Sequence, residues 1–109
     1  MLYLKTFKSL LYRIQANVAL RKKHGQNYNV GCIPCLLYIA SGGVIDYAKG
    51  ELKIPYAYGM ELRDTGAHSF MLPPDQIIPT GEEVMAFHVV AAKQIIEEFA
   101  WIMLNNIMK

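Results

Sequence analysis

The sequence predicts an α/β fold with an N-terminal helix, one clear strand and a long C-terminal helix. Three observations support this prediction. Apolar residues recur at helical spacing over residues 4–18, two alternating sets of side chains occur over residues 56–62, and a helix-start spacing precedes an apolar-rich stretch over residues 80–105. A chain of 109 residues is one domain or less.

The first predicted element is a helix from about Thr6 to about His24, which Gly25 ends. Basic residues lie between its apolar positions, which are three or four residues apart, as on one face of a helix. These apolar positions are Leu4, Phe7, Leu11, Ile14 and Val18.

Charge is distributed unevenly along the chain, although the net charge is only +2. All nine Asp and Glu residues lie from Asp46 onward, so the charged residues of the first helix are all basic. An acid-free amphipathic start is typical of a mitochondrial transit peptide or a membrane-surface helix, but Ser9 is the single serine before Ser41. No secretory signal peptide is predicted, because Lys5 and Lys8 interrupt the apolar start.

The next segment contains a C-x-x-C pair. Residues 29–38 are predicted to be a strand or an extended loop, in which Pro34 disfavours a central strand, followed by a turn at 40–43 and a short helix over 44–49. Cys32 and Cys35 lack a second C-x-x-C that would complete a zinc site, and no strand-then-helix pattern indicates a thioredoxin-like motif. Buried thiols or a local disulfide are therefore favoured over a metal or redox role.

The clearest strand is predicted over residues 56–62, which end at a turn. Alternation places Gly59, Glu61 and Arg63 on one face, where the small residues leave space for a ligand beside the carboxylate. A carboxylate at the end of a strand is typical of an active site. The simpler alternative is a glutamate at the end of the strand that pairs with Arg63 or a lysine at the surface.

The last element is predicted to be a long helix. A loop over residues 63–79 precedes it, and Thr80 with Glu83 has the spacing of a capping box for a helix to about Asn105. Charged residues interrupt its apolar run, so no stretch reaches the roughly 18 apolar residues that a membrane span needs. We expect neither a membrane span nor a nucleic-acid partner.

Several motifs, taken in order, resemble zinc metallocarboxypeptidases of the pancreatic A/B type (peptidase M14). They are Y-I-A-S-G-G with I-D-Y at 38–47, M-E-L-R-D-T-G at 60–66, F-M-L-P at 70–73 and Q-I-I-P-T at 76–80. The resemblance covers essentially the whole chain. It implies that residues 1–109 are a single partial domain, roughly the C-terminal third of a mixed-sheet α/β/α catalytic domain, and that the N-terminal part of that domain is a missing partner.

The resemblance also implies roles for five residues. Glu61 aligns with the general base and acid, which takes a proton from zinc-bound water and passes it to the leaving amine. Tyr38 aligns with the mobile tyrosine that closes over the C-terminal residue of the substrate. Ile45 aligns with the base of the specificity pocket, where an apolar residue accepts aliphatic or aromatic side chains. Gly43 and Gly59 line that pocket, and Gly59 replaces a usually larger residue, which implies a roomier pocket.

Zinc is the cofactor that the resemblance implies, held in the family by two histidines and a glutamate. His24, His68 and His88 occur neither in an H-x-x-E spacing nor at a family ligand position, so the zinc ligands are not expected in this chain. Arg63 and Asp64 are interpreted as ion pairs that fix the turn.

The function implied is that of a secreted hydrolase that removes C-terminal, hydrophobic residues from peptides or proteins, with A-type specificity. The 109 residues alone are expected to be inactive, because the zinc ligands are not among them. The alternative is a non-catalytic truncated product, either a structural remnant or a module that binds a peptide terminus or a partner protein.

Overall fold

The computed structural model describes residues 2–39 and 41–108, and it describes side chains from Leu10 onward. Its helices belong to two compact units, one containing the chain up to Tyr28 and from Pro73 onward, the other Asn29–Leu72. The side chains of Leu4 and Phe7, and Ala40 of the predicted turn, lie outside this description.

The first helix, α1, spans Leu2–His24. It begins earlier than predicted, but the predicted end at His24 is confirmed. Gly25 follows in the left-handed region with φ of 77°, and its N–H donates to the carbonyl of Arg21 at 2.9 Å. Glycine adopts this conformation without steric cost, which explains why the helix ends there.

A 3₁₀ helix, Pro74–Gln76, leads directly into the last helix, α4, which spans Ile77–Ile107. The predicted capping box is wrong. Thr80 lies inside α4, where its hydroxyl donates to the carbonyl of Gln76 at 2.6 Å. The helix can begin ahead of Pro79 because the N–H groups of its first turn have no intrahelical partner, so proline costs little there.

Helices α1 and α4 pack antiparallel in the first unit. As the residue number rises along α1, the number of its partner in α4 falls. The side-chain pairs are Tyr12 with Glu98 at 2.9 Å, Gln15 with Gln94, and His24 with Glu82 at 2.6 Å. Within the described part of the chain, neither helix has an apolar stretch long enough to cross a membrane.

The core of this helix pair is small. Its buried apolar residues are Ala16, Leu20, Phe87 and Ala91. Thr80 and Glu83 are buried beside them as polar members. Beyond the end of α1, the amide of Asn17 donates to the carbonyl of Tyr28 at 2.6 Å, which ties the chain that leaves the helix back onto it.

The second unit contains two short helices, α2 over Ile33–Leu36 and α3 over Val44–Gly50. The short helix predicted over residues 44–49 is confirmed. The strand or extended loop predicted for residues 29–38 is wrong over α2. Pro34, which disfavours a strand, lies in the first turn of α2, where a missing N–H is tolerated.

The predicted α/β class is wrong for the described residues, which form helices and no strand. Residues 56–62 have no regular secondary structure, although Tyr56 and Tyr58 do share a side, with ring centroids 6.5 Å apart. Alternation identifies which side chains share a face. A strand also needs a second segment whose backbone hydrogen-bonds to it, and the described chain supplies none for residues 56–62.

Candidate functional site

All five candidate site residues lie in the second unit. The backbone of α3 positions two of them. Gly43 is the N-cap of α3 in an extended conformation, and Ile45 is the second residue of the helix. Gly42 precedes them with φ of 75°, in the left-handed region that glycine favours, so the backbone at this glycine directs the chain into α3.

Ile45 and Gly59 are in direct contact. A methyl group added at Gly59 would lie 2.8 Å from Cδ1 of Ile45, closer than side-chain carbons pack. Ile45 is half-buried, and its terminal carbon therefore occupies the space that a larger residue at position 59 would need. A side chain larger than glycine at position 59 would therefore require Ile45 to move.

Tyr38 lies two residues beyond α2 and has 70% of its surface exposed. The segment before it contains a disulfide between Cys32 and Cys35, so the local disulfide favoured by the sequence is confirmed. Hydrogen bonds from the N–H groups of Cys35 and Leu36 to the carbonyl of Cys32, at 3.0 and 3.1 Å, form the same turn.

Glu61 is exposed and lies in the irregular segment between Gly59 and the turn at Arg63. Its carboxylate makes no hydrogen bond or ion pair with Tyr38 in the described part of the chain. The structure thus brings Ile45 and Gly59 into contact and does not join Glu61 to Tyr38.

Asp64 organises the turn that follows Glu61. Its carboxylate accepts hydrogen bonds from the backbone N–H of Gly66 at 2.7 Å and of His68 at 3.1 Å, and it lies 2.5 Å from Nδ1 of His68. The His68 side chain, followed by the Gly66 N–H, lowers the pKa of Asp64 below its ordinary value of 3.8. Asp64 is therefore a turn-fixing residue, as the sequence indicated.

Sequence reasoning missed the part that His68 plays in this turn. The usable signal was the spacing of the two residues, because a side chain four positions after Asp64 can reach back to a carboxylate that already holds a D-x-G turn. The Arg63–Asp64 peptide bond is cis.

The described residues do not fit a bound zinc ion. Catalytic zinc takes three protein ligands drawn from His, Glu, Asp or Cys. No three such side chains converge anywhere in the described residues. The two cysteines are bonded to each other. Nε2 of His24 faces the carboxylate of Glu82, and Nδ1 of His68 faces that of Asp64.

Comparison with known proteins agrees with the motifs. The family model described as "Zinc carboxypeptidase" (Peptidase_M14) matches residues 4–87. The chain therefore belongs to the zinc carboxypeptidase family, so the predicted family assignment is confirmed.

Similar proteins carry both A-type and B-type names. The chain is 54% identical over 65 residues to "Carboxypeptidase B" of Astacus astacus, covering 60% of this chain and 22% of that protein. It is 47% identical over 78 residues to "Metallocarboxypeptidase A" of Trichophyton equinum, covering 72% and 18%. For "Carboxypeptidase A2" of Mus musculus the identity is 49% over 69 residues, covering 63% and 16%. The chain thus spans about a fifth of the length of the curated relatives it matches.

Proposed function

We propose that this chain provides the acid/base residue and part of the specificity pocket of a metallocarboxypeptidase that removes hydrophobic C-terminal residues from peptides. The observation that carries the proposal is the contact between Ile45 and Gly59 in the unit that also contains Glu61. Family membership supports the reaction class, hydrolysis at a peptide C-terminus.

Ile45, rather than overall similarity, supports the proposed specificity for hydrophobic residues. Identity to A-type and B-type relatives is comparable, so it does not separate the two specificities. A half-buried aliphatic side chain offers no charge to a substrate lysine or arginine, and it packs well against an apolar one. Because Ile45 also fills the space beside Gly59, the pocket is apolar and is shaped by the isoleucine; with Gly43, these residues are the proposed lining.

Glu61 is the proposed proton carrier. Its exposed carboxylate accepts a proton from the attacking water and donates it to the departing amine, which is general acid–base catalysis. Tyr38 is the proposed contact for the substrate carboxylate. Its phenol is a hydrogen-bond donor on a residue that is 70% exposed.

The pocket is tested by Ile45→Asp in a chimera whose residues 4–87 come from this chain and whose remainder comes from mouse Carboxypeptidase A2. We expect the ratio of kcat/KM for substrates ending in Arg to those ending in Phe to rise at least about tenfold, because the new carboxylate attracts a cationic side chain and loses its hydration, without compensation, against an apolar one.

Val44→Asp is the matched control for this experiment. Val44 is adjacent to Ile45 but 80% exposed, so the same charge placed there should leave the substrate preference unchanged. An unchanged preference in Ile45→Asp, or equal shifts in both variants, would contradict the pocket assignment.

The second candidate is a chain without catalysis of its own, a structural remnant or a module that binds a peptide terminus or a partner protein. The spacing of its histidines favours this candidate for the 109 residues on their own, since no H-x-x-E is present. We expect the purified chain to bind no stoichiometric zinc by metal analysis and to leave peptides ending in Phe or Leu intact. Measurable turnover by the purified chain would reject that part of the proposal.

An extracellular site of action is also proposed. Disulfides form and persist in oxidising compartments and are rare in the cytosol, so the Cys32–Cys35 bond supports secretion.

A further inference from the structure

The disulfide between Cys32 and Cys35 closes the shortest α-helix described, α2. Both cysteines are exposed, and the bond ends three residues before Tyr38. The family resemblance does not account for this pair, and the proposed reaction does not use it.

Helix α2 is short and lies at the surface. The helix has four residues, none of them buried, and its N-cap residue makes no side-chain hydrogen bond. A single turn fixes several dihedral angles for very few hydrogen bonds, so it is unstable without tertiary support. Its apolar side chains Ile33 and Leu36 are 41% and 44% exposed, so packing covers them only in part. Leu36 packs against Gly31, where an added Cβ would lie 3.0 Å from the leucine Cγ.

The disulfide adds a covalent constraint to this exposed segment. It closes a loop of three residue steps and keeps the Cys32 carbonyl within reach of two N–H donors, those of Cys35 and Leu36. Exposed disulfides are the ones that thiols reduce readily, since an attacking thiolate must reach a sulfur atom. Both sulfur-bearing residues of this bond are at the surface.

We propose that the Cys32–Cys35 disulfide is a reversible redox switch that orders the segment leading to Tyr38. In the oxidised state α2 forms, and the chain that carries Tyr38 begins from a fixed helix end. In the reduced state α2 unravels and Tyr38 moves with a flexible chain.

The reductant is a dithiol. One of its thiolates attacks the sulfur of Cys32 or Cys35, which breaks the protein disulfide and forms a mixed disulfide, and the other cysteine leaves as a thiolate that takes up a proton. The second thiol of the reductant then attacks the mixed disulfide. The products are two protein thiols and one oxidised, disulfide-bonded reductant, so two electrons and two protons pass to the protein.

The effect of the switch on substrate binding rests on the role proposed for Tyr38, but the switch itself does not. The switch is detected as a change in the amide hydrogen exchange of residues 35–37, which can be measured in the chain without any substrate. Failure of the switch and failure of the tyrosine role are therefore separable, because Tyr38→Phe in the chimera tests the role alone.

The experiment measures amide hydrogen exchange by NMR in the 109-residue chain before and after treatment with dithiothreitol. The amides of Cys35, Leu36 and Leu37 donate within α2 and should exchange roughly tenfold faster or more after reduction, as expected when a short cross-linked loop is released. The amides of Tyr47 and Glu51 in and after α3 are the internal control and should not change. Reoxidation with oxidised glutathione should restore the slow exchange.

The matched variant replaces both residues of the bond, as Cys32→Ser with Cys35→Ser. Its amides at residues 35–37 should exchange at the fast rate of the dithiothreitol-treated chain, whether or not dithiothreitol is present. Equal exchange at residues 35–37 in the oxidised and reduced chain would overturn the proposal, and so would slow exchange in the double variant. Acceleration that extends equally to α3 would also overturn it, since that would indicate general unfolding.

Discussion

Glu61→Gln is expected to lower kcat by about 10²–10⁴-fold in the chimera that carries residues 4–87 of this chain. Glutamine keeps the size and much of the polarity of the side chain, but it neither accepts a proton from water nor delivers one to the leaving amine. The loss should therefore appear mainly in kcat, measured with a peptide ending in Phe, while KM changes little.

The matched control for this substitution is Glu51→Gln. Glu51 is also an exposed glutamate of the second unit, at the C-cap of α3, so it tests for a general effect of removing one negative charge. It should retain the parent rate, and the Glu61→Gln chimera should keep the zinc content of its parent. Parent-level turnover in Glu61→Gln would remove Glu61 from the mechanism.

Helices α1, α3 and α4 were predictable from local signals, whereas α2 was not. The basic and apolar periodicity of α1 and the glycine that follows it fixed its end at His24, where Gly25 adopts the left-handed conformation. The start of α4 was not predictable from the capping-box spacing. A threonine can accept a hydrogen bond at the start of a helix or, inside the helix, donate its hydroxyl to a backbone carbonyl. Only the structure shows that Thr80 donates to the carbonyl of Gln76.

The strand was the main error, for a reason that lies outside local sequence. Alternation over residues 56–62 correctly put Tyr56 and Tyr58 on one side. Pairing depends on a second segment at the right distance, and periodicity carries no information about it. A strand requires both side-chain alternation and a hydrogen-bonded partner segment, and residues 56–62 meet only the first requirement among the described residues.

The candidate site was predictable to a different extent. The motif order supplied all five residues, and the roles of all five stay predictions. The structure added the contact of Ile45 with Gly59, in which the isoleucine Cδ1 lies where a larger residue at position 59 would need space, and the expectation of a roomier pocket stays a prediction. It also added the hydrogen bond between the side chains of Asp64 and His68. This contact spans an irregular turn, so the periodicity that predicts helices and strands does not indicate it.

Leu20→Ala is expected to destabilise the helix pair by about 2–5 kcal/mol, because it removes a fully buried side chain and leaves a cavity between α1 and α4. Leu20 is one of only four buried apolar residues described, so few neighbours can move in to fill the space. Urea unfolding of the 109-residue chain, followed by circular dichroism at a helical wavelength, measures the loss. Val18→Ala, at a position of the same helix that is 51% exposed, is the control and should change stability by less than about 1 kcal/mol. Equal effects of the two substitutions would mean that α1 does not pack on α4 through Leu20.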